Sequence, residues 1–224
     1  GHGYVGTAAR NGYLGPMDRS IGTEAGPRTR WDDRYDGEEF FFGTEPNDFL
    51  KQVAPRLQVG RTLCIADGEG RNSVFLAGAG HEVTAMDASV VGMEKAGALA
   101  AERGVELATV VADLREFDFA RERWDAIVSI FCHMPPDLRR DVHARAVQGL
   151  APGGAFVLEA YTPQQLAYRT GGPPVAELLM TEADLRADLA GLSFEVLTER
   201  LRTVREGRGH DGPSAVVQVL GWKR

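Results

Sequence analysis

Between Arg61 and Ala160 the apolar positions follow a repeating scheme. A short, nearly continuous apolar run is followed by a polar or glycine-rich break, then by a longer stretch with apolar residues every three or four positions. The short runs read as strands buried on both faces, and the longer stretches as helices packed by one face. RTLCIA (61–66), HEVTAMD (81–87), VELATVVAD (105–113), WDAIVSIF (124–131) and AFVLEAY (155–161) are therefore predicted strands. RNSVFLAGAG (71–80), SVVGMEKAGALAAERG (89–104) and PPDLRRDVHARAVQGL (135–150) are predicted helices. Ser89 is placed to cap the second of these and Gly104 to end it. Proline opens the third, which carries Leu138, Val142, Ala146 and Leu150 on one face.

After Tyr161 the rhythm breaks. Residues 162–180 contain Gly171-Gly172-Pro173-Pro174 and are too turn-rich for a regular helix. Thr181 and Asp184 stand in capping-box spacing before a further helix. LSFEVLTERLRTV (192–204) and SAVVQVLGWK (214–223) then read as two strands with a short polar link, which must pair antiparallel. The whole pattern specifies an α/β protein: a doubly wound, mostly parallel seven-stranded sheet with a C-terminal antiparallel strand pair.

Residues 1–30 lack periodicity and are expected to form a flexible N-terminal tail, with Met17 a candidate natural start. Residues 31–224 read as one domain, of which 31–60 form an N-terminal lid or helix region. In it, WDDRYDGEEFFFGTEP leads to a helix over Asp48–Arg56 that Asn47 can cap. At 224 residues, 43% hydrophobic and 25% charged, the chain suits one soluble core. Its net charge of −7 argues against nucleic acid or an anionic membrane as a general partner. Cys64 and Cys132 form no CxxC pair, and no apolar run reaches membrane-spanning length. Both point to a reducing, cytoplasmic setting. No metal-ligand cluster, GxSxG elbow or P-loop is present.

Chemistry gathers where strands end. The first strand stops in Asp67-Gly68-Glu69-Gly70-Arg71-Asn72, a turn whose glycines admit close backbone approach. Asp87 closes the second strand, about 20 residues on, where a carboxylate can accept from ribose hydroxyls. Asp113 closes the third. The bland alternative is that such acids merely cap the following helices. Two cofactors fit the outline, a nicotinamide dinucleotide and S-adenosylmethionine (SAM). The dinucleotide fingerprint lacks its third glycine, which is Ser73, and Asp67 and Glu69 would repel a pyrophosphate. SAM carries a sulfonium and an ammonium and suits an acidic turn.

GRTLCIADGEGRNSVFLAGAGHEVTAMD, VVADLREFDF, WDAIVSI and LAPGGAFVLEA resemble the successive motifs of class I SAM-dependent methyltransferases. Within these the chain is similar to the small bacterial tellurite-resistance and thiopurine-type enzymes. Members usually read Leu-Asp-Leu-Gly-Cys-Gly in the first motif; here Cys64 replaces the strand acid and Ala66 the first glycine. The resemblance implies a Rossmann-like methyltransferase fold and SAM as cofactor. It brings Gly68 and Gly70 close to the methionine part, with Asp87 on the ribose, Ala88 beside the adenine, and Asp113 and Leu114 completing the adenosine side. Asp67, Glu69, Arg71, Asn72, Ile130, Trp31 and Tyr35 are further candidates for cofactor contact.

On the acceptor side, FCHMPP puts Phe131, Cys132, His133 and Met134 at the mouth of the site, opposite Tyr161 and the Gly-Gly-Pro-Pro loop. His133 and Tyr161 are the catalytic candidates. His133 reads equally as a base or orienter and as a cap for the next helix. Cys132 reads as a buried filler. Trp31, Tyr35, Phe41 and Phe42 form either a lid, since aromatic faces attract cations by about 0.5–2 kcal/mol, or a helix packed on the sheet edge. Arg169 can meet an anionic substrate or stay solvated. The expected activity is methyl transfer to a small acceptor, a thiol, a chalcogen oxyanion or another small metabolite. A non-catalytic SAM- or nucleotide-binding regulator and an NAD(P)-dependent oxidoreductase are the other classes.

Overall fold

A computed structural model of the chain describes residues 29–121 and 123–224. The expectations for residues 1–28, including the flexible tail and the start at Met17, lie outside the described residues. Thr29 and Arg30 belong to the first helix. Thr29 caps α1 (Arg30–Tyr35) through a capping box in which Asp32 returns the hydrogen bond. Asn47 caps α2 (Asp48–Val53), which tightens into a 3₁₀ turn over Ala54–Arg56 at Pro55.

The remaining elements run β1 (Arg61–Ile65), α3 (Arg71–Gly78), β2 (Glu82–Asp87), α4 (Val90–Arg103), β3 (Ala108–Val111), β4 (Trp124–Ile130), α5 (Pro136–Gly149), β5 (Leu150–Tyr161), α6 (Glu182–Asp188), β6 (Leu192–Arg205) and β7 (Asp211–Lys223). They build a seven-stranded sheet in the order β3-β2-β1-β4-β5-β7-β6. The first five strands are parallel, and β7 inserts antiparallel between β5 and β6. Strand order reverses between β1 and β4, which opens a crevice at their carboxyl ends.

The apolar runs are continuous because both sheet faces are covered. In β1, Leu63 and Ile65 pack with Trp124, Ile127 and Phe156 towards α5 and α6. Cys64 between them packs with Val128, Val157 and Leu50 towards α2 and α3. The predicted caps are present: Ser89 Oγ accepts from Gly92 N, Gly104 ends α4 at φ +66°, and Thr181 and Asp184 form the capping box of α6. Residues 162–180 hold only two short 3₁₀ turns.

Three expectations differ in extent. The third strand is four residues, not nine; Val111 is exposed, so the sheet edge offers little apolar cover to extend it. The β5 strand begins at Leu150 and takes in the Ala-Pro-Gly-Gly segment, whose extra residues are absorbed by a register shift opposite Trp124 and Ala126. The last two strands also reach further than their apolar runs. After β5 stops at Tyr161, β6 and β7 continue together for five pairs, Leu201–Ala215 to Arg205–Asp211. This arm stands beyond the carboxyl ends of the parallel strands. Among the described residues no helix is long and apolar enough to cross a membrane.

Candidate active site

At the end of β1 the chain turns sharply. Ala66 has φ +49°, Gly68 +61° and Gly70 +89°, the last forming the N-cap of α3. A left-handed alanine costs about 1–2 kcal/mol, which gives physical sense to the glycine expected at that position. At Gly68 and Gly70 no side chain fits. A Cβ on Gly68 would lie 2.7 Å from the Tyr35 hydroxyl, and one on Gly70 would strike Ala96 at 2.5 Å.

The turn is tied to β2 by Asp87. Its Oδ2 accepts from Gly68 N (2.9 Å) and its Oδ1 from Ser89 N (2.9 Å). Burial raises the Asp87 pKa against these hydrogen bonds. Asp67 accepts from Ser73 Oγ (2.5 Å), and burial pushes its carboxyl up to about 7 despite that bond, with Asp87 adding repulsion. Both carboxylates therefore take hydrogen bonds from hydroxyl and backbone groups and keep spare lone pairs. Ala66, Asp67, Ala112, Asp113 and Leu114 are partly open, and Ala88 is exposed, so the ends of β1, β2 and β3 stay partly open beside the cleft that the reversal of strand order predicts. Asp113 pairs locally with Arg115, through its backbone N–H and its guanidinium (2.8 Å each).

The donor set decides between the two cofactors the sequence allows. The cleft presents Asp67 and Asp87 beside a glycine cradle, and the nearby basic groups are spent elsewhere: Lys95 on Glu69 (2.8 Å) and Arg71 on Glu206 (2.7 Å). A cationic, phosphate-free cofactor fits this lining, whereas a pyrophosphate would meet uncompensated carboxylates.

Several of the residues expected around the cofactor have partners within the protein. Glu69 holds the N-terminal segment, accepting from Phe41 N (2.8 Å), Phe42 N (3.3 Å) and Lys95, and is buried. Arg71 turns to Glu206 and to the Glu45 carbonyl (3.3 Å). Asn72 Oδ1 accepts from Asn47 N (2.9 Å). These three residues fasten the segment 41–47 to the start of α3. Ile130 packs beneath α2 and α3 with Val128 and Leu50, because strand alternation turns it from the cleft.

Asp32 on α1 accepts from Ser89 Oγ (2.6 Å) and Val91 N (3.3 Å); burial raises its pKa, but these bonds and those from Thr29 prevail and hold it at about 2. Tyr35 is buried against Gly68 and Gly92, with Trp31 stacked on it at 5.8 Å. Helix α1 therefore covers the glycine turn itself.

The acceptor side is aromatic. Phe131, at φ +52°, stacks on Tyr161 (4.6 Å) and lies 4.3 Å from His210, which also stacks on Phe42 (4.7 Å). The Tyr161 hydroxyl and His210 Nδ1 are 2.8 Å apart. His210 comes from the link between β6 and β7 and had no signal in the sequence beyond a polar turn. Burial lowers its pKa to about 3, with Arg71 adding to the effect.

Both ring nitrogens of His133 are held by backbone groups. Its Nδ1 lies 3.0 Å from the Phe131 carbonyl, to which it donates, and its Nε2 accepts from Tyr161 N (3.1 Å). The reason lies in the sheet: Phe131 N pairs with the Glu159 carbonyl and the chain then turns away, leaving Tyr161 N without a strand partner. The imidazole fills that place, so neither nitrogen is left to take a proton. Burial brings its pKa to about 4. Tyr161 is fully buried, and burial raises its pKa above the usual phenol value. Burial pushes the Cys132 thiol up to about 12, which leaves it inert. Arg169 is exposed.

Beneath this wall lies a buried ionic cluster that the sequence signalled only as one acid in an apolar run. Glu159 is fully buried and accepts from Arg202 Nη2 (2.5 Å) and Nε (3.2 Å), Asn47 Nδ2 (2.8 Å) and Gln218 Nε2 (2.5 Å). Glu206 joins Arg202, Arg71 and Asn47 to it. Among the described residues no group of His, Cys, Asp and Glu is arranged to hold a metal ion.

Residues 63–154 match the family model for a methyltransferase domain. No curated protein sequence matches the chain. Similar solved structures share its fold. One comes from work on the conversion of a disulfide bond into a thioacetal group during echinomycin biosynthesis (20% identity, TM-score 0.71, 86% of this chain and 90% of that one). Another is TehB from Haemophilus influenzae (16%, 0.66, 87% and 66%). A third is magnesium protoporphyrin IX methyltransferase from Synechocystis PCC 6803 with bound SAH (18%, 0.61, 79% and 82%).

Proposed function

On the premise that the chain carries a methyltransferase domain of the class I fold, we propose that it uses SAM to methylate a small acceptor bearing a soft or already ionised nucleophile, such as a thiolate or chalcogen oxyanion. Asp87 would hold the ribose, with the Gly68–Gly70 backbone and Asp67 at the methionine part and Ala88, Asp113 and Leu114 at the base. When bound, SAM supplies an electrophilic methyl group on a sulfonium.

The observation that carries the acceptor class is that, among the described residues, the aromatic wall offers no available base. Both nitrogens of His133 are held by backbone groups. Tyr161 is buried and bonded to His210, whose own pKa is about 3. An alcohol or amine acceptor would need a proton removed, whereas a thiolate or oxyanion would not. The chain's contribution is then alignment and exclusion of water by Phe42, Phe131 and the β6–β7 arm. The likeness to TehB is consistent with a tellurite-type acceptor, and the free, buried Cys64 and Cys132 with a reducing cytoplasm.

The test is a screen for S-adenosylhomocysteine (SAH) release with thiols, chalcogen oxyanions, phenols and amines across pH. Turnover should favour the first two, with a rate that follows the acceptor's own ionisation. Preference for amines or alcohols, with a rate titrating a protein group, would overturn the acceptor class. Tight SAM binding without turnover on any acceptor would favour a regulator.

A further inference from the structure

His210 is enclosed on three sides and open on one. Its ring lies between Phe42, stacked at 4.7 Å, and Phe131, tilted at 4.3 Å. The edge bearing Nδ1 faces the Tyr161 hydroxyl at 2.8 Å. Gly171 closes over that edge in an antiparallel bridge to His210. A Cβ there would lie 2.5 Å from the Tyr161 oxygen and 2.9 Å from Nδ1. Gln165 holds this backbone in place, donating to the Gly171 carbonyl (3.2 Å) and accepting from Ala215 N (2.9 Å). The next glycine meets the same need, since a Cβ on Gly172 would strike the Tyr161 ring at 2.6 Å.

These contacts fix the imidazole proton. Burial keeps the Tyr161 phenol protonated, and His210 Nδ1 is the acceptor in direct hydrogen-bond contact with it. The Ser214 hydroxyl also stands near the phenol, and it donates to the Gly212 carbonyl (3.1 Å). The phenol therefore donates, Nδ1 accepts, and a neutral ring carries its own proton on Nε2. Burial, then Arg71 from α3, keep the ring neutral. His133 after β4 and Arg202 on β6 act the same way, against Glu206 at the end of the arm. No group among the described residues bonds Nε2. Nor is it sealed, for the buried side-chain atoms left without a partner are Ser129 Oγ and both nitrogens of His143.

We propose that His210 is a specificity-determining residue whose Nε2–H donates a hydrogen bond to the ionised atom of the methyl acceptor, with Tyr161 as the positioning residue that fixes its tautomer. The proposal rests on the acceptor class proposed above. The donor stands beyond the ends of β4 and β5, framed by rings that exclude water from an arriving anion. A neutral N–H orients a thiolate or oxyanion without protonating it, so the nucleophile keeps its charge for transfer. An ammonium group offers only donors and finds no acceptor on Nε2.

Long-range proton–nitrogen correlation NMR reads the tautomer without any acceptor, with His210→Phe assigning the signal. The Nε2–H form is expected throughout about pH 5.5 to 8. An Nδ1–H form, or a titration in that range, would overturn the proposal. The acceptor probe is para-nitrothiophenolate, with SAH for a non-reacting complex and SAM for turnover. Its binding beside SAH should shift the Nε2 resonance. His210→Phe keeps a ring between Phe42 and Phe131 but loses the donor. Its KM for the thiolate should rise roughly 10- to 100-fold, with a smaller change in kcat and wild-type SAM affinity. His210→Gln, which keeps a donor, should recover part of that loss. Tyr161→Phe should show both tautomers and add little to His210→Phe in the double variant.

A thiolate that is methylated while Nε2 stays unmoved, or an unchanged KM in His210→Phe, removes His210 and leaves the acceptor class standing. Methylation of amines with none of this thiolate removes the acceptor class, and the role of His210 with it. Thermal melting checks that His210→Phe folds. If it does not, the wild-type tautomer and the resonance shift decide the matter.

Discussion

The two sides of the sheet's carboxyl edge are built on opposite electrostatic plans. Along β1, β2 and β3, Asp67 and Asp87 take hydrogen bonds from a hydroxyl and from backbone N–H groups, and the residues around them stay partly open. Along β5, β7 and β6, Glu159 and Glu206 are matched by Arg202 and Arg71, saturated by Asn47 and Gln218, and buried. On one side the acids keep spare lone pairs. The other uses charge to fix the wall that faces it. Substitutions should therefore separate binding from stability according to side.

The largest effect is expected within the matched cluster. Glu159→Ala leaves Arg202 partly uncompensated, takes one acceptor from Asn47 and strands Gln218, so unfolding free energy should fall by about 3–5 kcal/mol. Urea denaturation would show it, and a loss below 1 kcal/mol would mean the cluster is less closed than its geometry states. On the open side, Asp87→Ala should weaken SAM by about 2–4 kcal/mol in calorimetry, through lost bonds to a charged group. The melting temperature of its unliganded form should change less than that of Glu159→Ala. A reversal of that order would dissolve the contrast between the two sides.

His133 stands between the two sides and sharpens the distinction. His133→Ala exposes no new charge but orphans Tyr161 N in the interior, a cost of about 1–3 kcal/mol in stability. Its transfer rate, measured in single turnovers, should keep the wild-type pH profile. A lost limb near the histidine range would instead restore a base role. The smallest effect belongs to Ala66→Gly. Relief of the left-handed alanine is offset by greater freedom of the unfolded chain, leaving a gain of at most about 1 kcal/mol. A loss on thermal melting would show that the Ala66 methyl packs to advantage.

Most of the fold was legible because its signals are local. Apolar runs of strand length, Ser89 and Gly104 around α4, and the Thr181–Asp184 box each specify their own element. Asp87 was legible for the same reason, as an acid closing a strand at the reversal of strand order. The protein partners of Glu69, Arg71 and Asn72 were hidden because they lie 25–28 residues earlier along the chain, and Glu206 lies far later. Nothing in a single sequence announces such pairs. His133 was placed at the right edge, but its orientation follows from one unpaired N–H on β5. The extent of β6 and β7 was hidden because their outer halves are polar and hold together by pairing alone.

Asn47 adds a constraint in time. Its side chain joins residues 112 and 159 positions downstream, and its backbone is held by α3. On a ribosome the chain emerges from its N-terminus, so α1 and the Phe41–Phe42 segment exist long before Glu206 leaves the exit tunnel. Until then Arg71 lacks its counter-ion, and Asn47 lacks the Glu206 acceptor. The first part of the domain to be synthesised is thus among the last to be locked, and the nascent protein must finish its final hairpin before its site can close.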